Sequence, residues 1–134
     1  MAETSPSTKP RLDKLGVKAG ARVAVLGVED KRFWIELRQR TADVADGRPK
    51  KSSDLIFLLA ADKTGLRRLR RLQEYLKPNG AIWVVWPKGR PQLKENDIIV
   101  AAIAVGLIDN KVVSFSETHS ALRLVIPLAR RPAR

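Results

Sequence analysis

The sequence of 134 residues contains no cysteine, one histidine and one methionine. Without cysteine the chain has no disulfide, no thiolate ligand for zinc and no cysteine nucleophile. The single histidine leaves carboxylates as the other candidate metal ligands, and their spacing matches no metal motif. We therefore expect no metal site, and the sequence alone singles out no catalytic residue.

Long apolar segments are also missing. The longest, residues 98–108, is interrupted by Gly106 and is too short to cross a bilayer. Residues 1–9 are rich in Ser, Thr and Pro and lack the apolar core of a secretory signal. These absences predict a cytoplasmic protein with no membrane partner.

Acidic residues are scarce relative to basic ones. There are 14 Asp and Glu against 26 Lys and Arg, which gives a formal net charge of +12. Such a surface attracts polyanions by neutralising phosphates and releasing counterions, although it can equally be a solubilising surface. The sequence does not define the partner. Nucleic acid and another acidic partner are the two alternatives. The basic residues expected at such an interface are Arg67, Arg68, Arg70, Arg71, Lys88 and Arg90.

Apolar runs alternate with amphipathic segments along most of the chain. The predicted helices span residues 31–40, 65–77 and 93–105, after a single helical turn at residues 11–15. The predicted strands span residues 22–26, 41–45, 55–60, 81–86, 111–115 and 120–128. One domain over residues 11–128 is expected, between a flexible tail at 1–10 and a basic tail at 129–134.

Two of the predicted strands, 55–60 and 81–86, are continuously apolar, as is typical of parallel strands buried on both faces. The last two form an antiparallel hairpin. We therefore predict an α/β three-layer sandwich around a mostly parallel six-stranded sheet of order 2-1-3-4-6-5.

The helix predicted over 65–77 has an apolar side and a basic side. Asp62 or Thr64 is expected to cap it, and the Pro-Asn-Gly sequence at 78–80 is expected to end it. The basic side carries Arg67, Arg68, Arg70 and Arg71. The residues expected to face the core are Leu66, Leu69, Leu72 and Leu76.

The order of these elements, with the Leu-Lys-Pro-Asn-Gly turn at 76–80, resembles class I methyltransferases, which depend on S-adenosylmethionine. The chain also resembles a family of small bacterial proteins of unknown function with this Rossmann-type pattern. The segments that carry the resemblance are residues 14–20, 86–88 and 117–122. The resemblance covers residues 17–128, and the region after the first helix is shorter by about one strand–helix unit. It implies the fold and a cofactor position after the first strand.

Methyltransferases of this class hold the cofactor with an Asp/Glu-x-Gly-x-Gly-x-Gly turn after the first strand. Residues 24–30 of this chain contain one glycine, Gly27, and a valine and two acids follow it. The family's ribose-binding acid, at the end of the second strand, corresponds to Asp43 or Asp46. The resemblance therefore assigns cofactor contacts, where they persist, to Gly27, Val28, Glu29, Asp43, Asp62 and Trp86.

The single glycine favours a chain without a cofactor, acting as a non-catalytic, methyltransferase-like binding or regulatory module. One alternative is an S-adenosylmethionine-dependent methyltransferase of a small molecule or nucleic acid. Another is a protein that binds nucleic acid without sequence preference. Glu29 and Asp30 are expected to stabilise the N-terminus of a helix. Trp86 is expected either to pack in the core or to stack on a ligand. His119 is expected to lie in a hairpin turn.

Overall fold

The structure is a computed structural model, and it describes residues 9–131. Residues 1–8 and 132–134, which hold most of the two predicted tails, lie outside the described residues. Within the described range the helices are α1 (Arg11–Lys14), α2 (Lys31–Arg40), α3 (Leu69–Leu72) and α4 (Glu95–Ala104). Short 3₁₀ turns lie at Lys63–Arg68, Gln73–Tyr75 and Leu128–Arg130.

The sheet has the predicted order, β2-β1-β3-β4-β6-β5. The first four strands are parallel, and β6 lies antiparallel between β4 and β5. The predicted methyltransferase-like topology is confirmed. The strands are β1 (Val23–Leu26), β2 (Val44–Asp46), β3 (Ser53–Leu59), β4 (Leu76–Pro87), β5 (Ile108–Ser114) and β6 (His119–Val125).

Two apolar clusters hold the three layers together, one on each face of the sheet. The first contains Phe33 and Leu37 of α2 with Trp83 of β4, and the second contains Leu69 of α3 and Ile98 of α4. Helix α2 therefore lies on the opposite face of the sheet from α3 and α4. Alternation along β4 places Trp83 in the first cluster and Trp86 in the second, as predicted.

The helix predicted over 65–77 differs from the structure. Asp62 caps a 3₁₀ turn, since its carboxylate accepts hydrogen bonds from the amides of Thr64 and Gly65 at 3.0 and 3.4 Å. The helical segment then ends at Tyr75, and residues 78–80 belong to β4. The four leucines expected to face the core are all buried.

Gly80 explains why the Pro-Asn-Gly sequence lies in a strand rather than ending the helix. A Cβ at this position would lie 2.9 Å from the carbonyl oxygen of Asp54 and 3.0 Å from that of Ser53. The glycine therefore permits β4 to approach β3 closely.

The second strand begins three residues later than predicted. The Thr41 hydroxyl donates to the carbonyl oxygen of Ala21 at 2.6 Å and accepts from the Asp43 amide at 3.2 Å. The paired residues of β2 start at Val44, opposite Val23, and the carbonyl oxygen of Asp43 accepts from the Val23 amide at 3.0 Å. Among the described residues, no helix has the length and apolar character needed to span a membrane.

Candidate functional site

A crevice of about 710 Å³ opens at the carboxyl end of β1. The turn at residues 27–30 forms one wall, and residues 115–119, which connect β5 to β6, form another. Leu59 of β3 and Val85 of β4 complete the lining. The carboxyl edge of a parallel sheet is where open α/β folds bind ligands, so this crevice is the candidate functional site.

Gly27 makes the turn from β1 possible. Its φ of +89° is in the left-handed region, and a Cβ there would lie 3.3 Å from the Cβ of Leu59. Val28 is only 6% exposed and packs in the apolar cluster beside α2. Val28 therefore lines the crevice while most of its surface packs into the core.

Two carboxylates follow the valine, and they have different surroundings. Glu29 is exposed in the crevice. Asp30 caps α2 by accepting a hydrogen bond from the Phe33 amide at 2.9 Å, and it forms an ion pair with Arg11 at 3.0 Å. Burial of Asp30 opposes its ionisation, but these hydrogen bonds outweigh burial and lower the pKa of Asp30. Asp30 therefore stabilises the helix, while Glu29 remains open to a ligand.

The hairpin turn is held over the crevice by contacts from two other elements. Arg11 donates to the carbonyl oxygen of Phe115 at 3.0 Å, and its guanidinium lies 5.0 Å from that ring's centroid. The Lys88 amide donates to the carbonyl oxygen of Thr118 at 2.9 Å. The turn is thus fixed both to α1 and to the residue after β4.

His119, at the start of β6, lines the crevice opposite Glu29 and Asp30. Its Nδ1 lies 2.8 Å from the Thr118 hydroxyl oxygen. Partial burial and the positive charge of Arg90 lower the pKa of His119, an effect that Lys88 reinforces and Asp30 opposes. A neutral imidazole in a ligand-sized cleft can accept a proton, which a turn position alone did not indicate.

The remaining residues expected at a cofactor site lie elsewhere. Asp43 precedes β2 at the amino edge, so its assignment to the end of the second strand is wrong; Asp46 occupies that end. Asp43 is instead paired with Arg22 at 2.9 Å. Asp62 follows β3 as a cap, and Trp86 is 6% exposed in the core below α4. None of these four residues lines the crevice among the described residues.

The basic residues separate into two groups. Lys88 and Arg90 lie near His119, and the Lys88 ammonium donates to the Ser114 hydroxyl at 2.8 Å. The arginines of the helical segment are exposed on a different surface, as expected. Three of them, Arg67, Arg68 and Arg71, line a second cleft of about 650 Å³ with Arg48.

Sequence reasoning missed the contribution of the hairpin turn to the crevice. The segment 117–122 is part of the family resemblance, and that was its one indication of importance. Its approach to residues 27–30 depends on the tertiary placement of β6 between β4 and β5. Among the described residues, no three His, Asp or Glu side chains are grouped to hold a metal ion.

Similar folds occur in solved methyltransferases. A SAM-dependent methyltransferase from Aquifex aeolicus has a TM-score of 0.68 and 15% identity, with 87% of each chain covered. Magnesium protoporphyrin IX methyltransferase from Synechocystis, solved with bound SAM, has a TM-score of 0.63 and 16% identity. Its alignment covers 87% of this chain and 74% of that one.

A TehB-like SAM-dependent methyltransferase from Corynebacterium glutamicum has a TM-score of 0.57 and 15% identity over 87% and 86% of the two chains. This chain has the fold of class I methyltransferases. No family model matches the sequence, and no curated protein matches it. At these identities the likeness establishes the fold, and a ligand must be argued from the crevice itself.

The crevice suits S-adenosylmethionine in size and charge. Its volume lies within the range of small-molecule sites, about 300–1,000 Å³. The ligand carries a sulfonium and an ammonium group, and the exposed Glu29 carboxylate supplies complementary negative charge. The same carboxylate disfavours the pyrophosphate of a dinucleotide. Gly27 provides the close backbone approach, although the further glycines of the family turn are absent.

Proposed function

We propose that the chain binds S-adenosylmethionine in the crevice at the carboxyl end of β1, as an S-adenosylmethionine-dependent methyltransferase. The observation that carries the proposal is the open turn: Val28 is buried while Gly27 and Glu29 are exposed to the crevice. The fold shared with SAM-dependent methyltransferases supports the same ligand. Gly27 and Glu29 would hold it, since both residues line the crevice.

The bound cofactor would supply an electrophilic methyl group. The residue of this chain suited to accept a proton from a hydroxyl or amine substrate is His119. Its lowered pKa keeps the ring neutral at neutral pH, and the Thr118 hydroxyl at Nδ1 fixes the ring's orientation. A binding or regulatory module would use the same crevice without transfer, and transfer of label from the methyl group distinguishes the two functions.

Calorimetric titration with S-adenosylmethionine and S-adenosylhomocysteine tests the proposal. We expect micromolar binding of both ligands to the unaltered protein. The Glu29→Gln variant should bind S-adenosylmethionine about 10-fold more weakly, which corresponds to ~1.4 kcal/mol, because one charge-assisted contact is lost. S-adenosylhomocysteine, which lacks the sulfonium charge, should lose less.

The matched control is Glu74→Gln. Glu74 is also exposed, but it lies in the turn before β4, away from the crevice. The Glu74→Gln variant should bind both ligands with the same affinity as the unaltered protein. Absence of binding at millimolar ligand, or equal affinities for the two variants, would refute the proposal.

A further inference from the structure

The second cleft joins two segments that are distant in sequence. Arg48 comes from the loop after β2, and Arg67, Arg68 and Arg71 come from the 3₁₀ turn and α3. We call these four side chains, with Tyr75 and Leu72 beside them, the arginine cleft. It shares no lining residue with the crevice. The cleft is therefore a separate place on the molecule.

Positive charge exceeds negative charge among the described residues that line the cleft. Among residues 9–131, no carboxylate lies within ion-pair distance of any of the four guanidinium groups. Asp46 is the one acidic residue that lines the cleft, against four arginines. Like charges that line one cleft repel each other, and a bound anion would relieve that repulsion. The cleft thus has the electrostatic character of an anion site.

The backbone that carries these arginines is firmly packed. Leu69 is completely buried, and Leu66 and Leu72 are 5% and 4% exposed. Asp62 caps the start of the same segment. Arg67, Arg68 and Arg71 therefore project from a rigid scaffold, and an anion that binds these three side chains need not order that segment first.

The cleft is also open to a long ligand. Strand β2 is at the edge of the sheet, so no further strand of the described residues lies beyond it. Arg70 and Arg130 line another groove beside the same segment, together with Glu74. An extended polyanion would contact both grooves, whereas a single phosphate would occupy one.

We propose that the arginine cleft binds the phosphodiester backbone of nucleic acid, without reading its sequence. Guanidinium groups bind phosphate oxygens in a bidentate manner, which makes arginine better suited than lysine to this contact. The proposal differs from the expectation based on sequence in three respects. Arg48 joins the surface, and Arg70 lines a neighbouring groove instead of the cleft. Lys88 and Arg90 are excluded because they lie beside His119. It does not depend on the cofactor proposed for the crevice.

Binding of a 20-base-pair DNA duplex, measured by fluorescence anisotropy across salt concentrations, tests this proposal. Four phosphate contacts give a slope of log K against log salt of about −3.6, since each contributes about −0.9. The affinity should therefore fall roughly 100-fold between about 50 and 200 mM salt. The variant with Arg48, Arg67, Arg68 and Arg71 changed to Gln should lose most of that slope.

The matched control removes four positive charges from other surfaces, by changing Lys18, Lys31, Arg32 and Lys111 to Gln. All four are exposed, and α2 lies on the other face of the sheet from the arginine cleft. This control should retain a slope near that of the unaltered protein. Circular dichroism verifies that each variant is folded, and single Arg→Gln variants, each lowering the slope by about 1, replace the quadruple variant if it unfolds.

Three results would overturn the proposal. The first is that the unaltered protein does not bind the duplex at low salt. The second is that the two quadruple variants show the same decrease in the slope of log K against log salt. The third result is that inorganic pyrophosphate displaces the duplex when its concentration equals the concentration of phosphate groups in the duplex. That result would indicate a site for a small phosphorylated molecule. Loss of S-adenosylmethionine binding to the crevice has no bearing on any of these results.

Discussion

Gly27 is the residue on which the crevice depends. Its positive φ lets the chain turn from β1 toward α2, and its missing side chain leaves space next to Leu59. Gly16 also has a positive φ, of +74°, but a Cβ at that position would meet nothing within 4 Å. Gly16 therefore requires glycine for its backbone conformation alone, whereas Gly27 requires it also because a side chain would contact Leu59.

We predict that Gly27→Ala destabilises the protein more than Gly16→Ala. Both substitutions place a side chain in the left-handed region, which costs about 1–2 kcal/mol. Gly27→Ala additionally places a methyl group 3.3 Å from Leu59. Urea unfolding of the two variants measures the difference. Equal free energies of unfolding for the two variants would show that the contact with Leu59 does not destabilise an alanine at position 27.

Some residue roles were predictable and others depended on unseen neighbours. The glycine turn after β1 was predicted from the apolar run before it. The burial of Val28 was not, because it depends on how the turn directs alternate side chains toward α2. Of the two acids considered for the end of β2, Asp46 lies there and Asp43 precedes the strand, because β2 starts later than the sequence predicted.

At the scale of elements, α2 begins at a cap that also joins it to α1. Asp30 accepts a hydrogen bond from the Phe33 amide and pairs with Arg11, which also pairs with Glu36 at 3.1 Å. Since folding lowers the pKa of Asp30, its charged form contributes stability above the unfolded value of about 3.9. That contribution disappears as the pH falls toward the lower pKa of the folded protein.

We therefore predict that Asp30→Asn destabilises the protein at pH 7 by roughly 1 kcal/mol and by less at pH 3. Asparagine preserves the helix cap but removes the charge that pairs with Arg11. Urea unfolding at the two pH values measures the effect. Asp62→Asn is the control, because it also preserves a cap and Asp62 has no ion pair among the described residues. A loss that is the same at both pH values would contradict this account.

Element types were more predictable than element ends. The period of the leucines identified the buried side of the segment containing α3, and all four are buried. Its end at Tyr75 was missed because the Pro-Asn-Gly sequence has two uses. It commonly ends helices, yet here Gly80 allows β4 to lie against the carbonyl oxygens of Ser53 and Asp54.

At the scale of the whole molecule, two apolar strands and a terminal hairpin were enough to predict the sheet order. Strands β3 and β4 are adjacent and parallel, with Phe57 opposite Trp83. The hairpin's second strand pairs with β4, which brings the turn at 115–119 over the end of β1. That last contact joins residues about ninety positions apart, so no local pattern of the sequence indicates it.

The arrangement gives the molecule two candidate sites of opposite character. The crevice is lined by the Glu29 carboxylate and by His119, and the arginine cleft presents four guanidinium groups that form no ion pair within residues 9–131. A ligand with positive charge is expected in the first and a polyanion in the second. The central claim is that S-adenosylmethionine occupies the crevice.

The measurement that tests this claim most directly is titration of ¹⁵N-labelled protein with S-adenosylhomocysteine, followed by backbone amide chemical shifts. We predict saturable shifts at residues 27–30 and 115–119, which line the crevice. Smaller shifts are expected at the amino edge of the sheet, around Asp43 and Lys77. If residues 27–30 do not shift at millimolar ligand, or if the shifts are confined to the arginine cleft, the assignment of the crevice as a cofactor site is wrong.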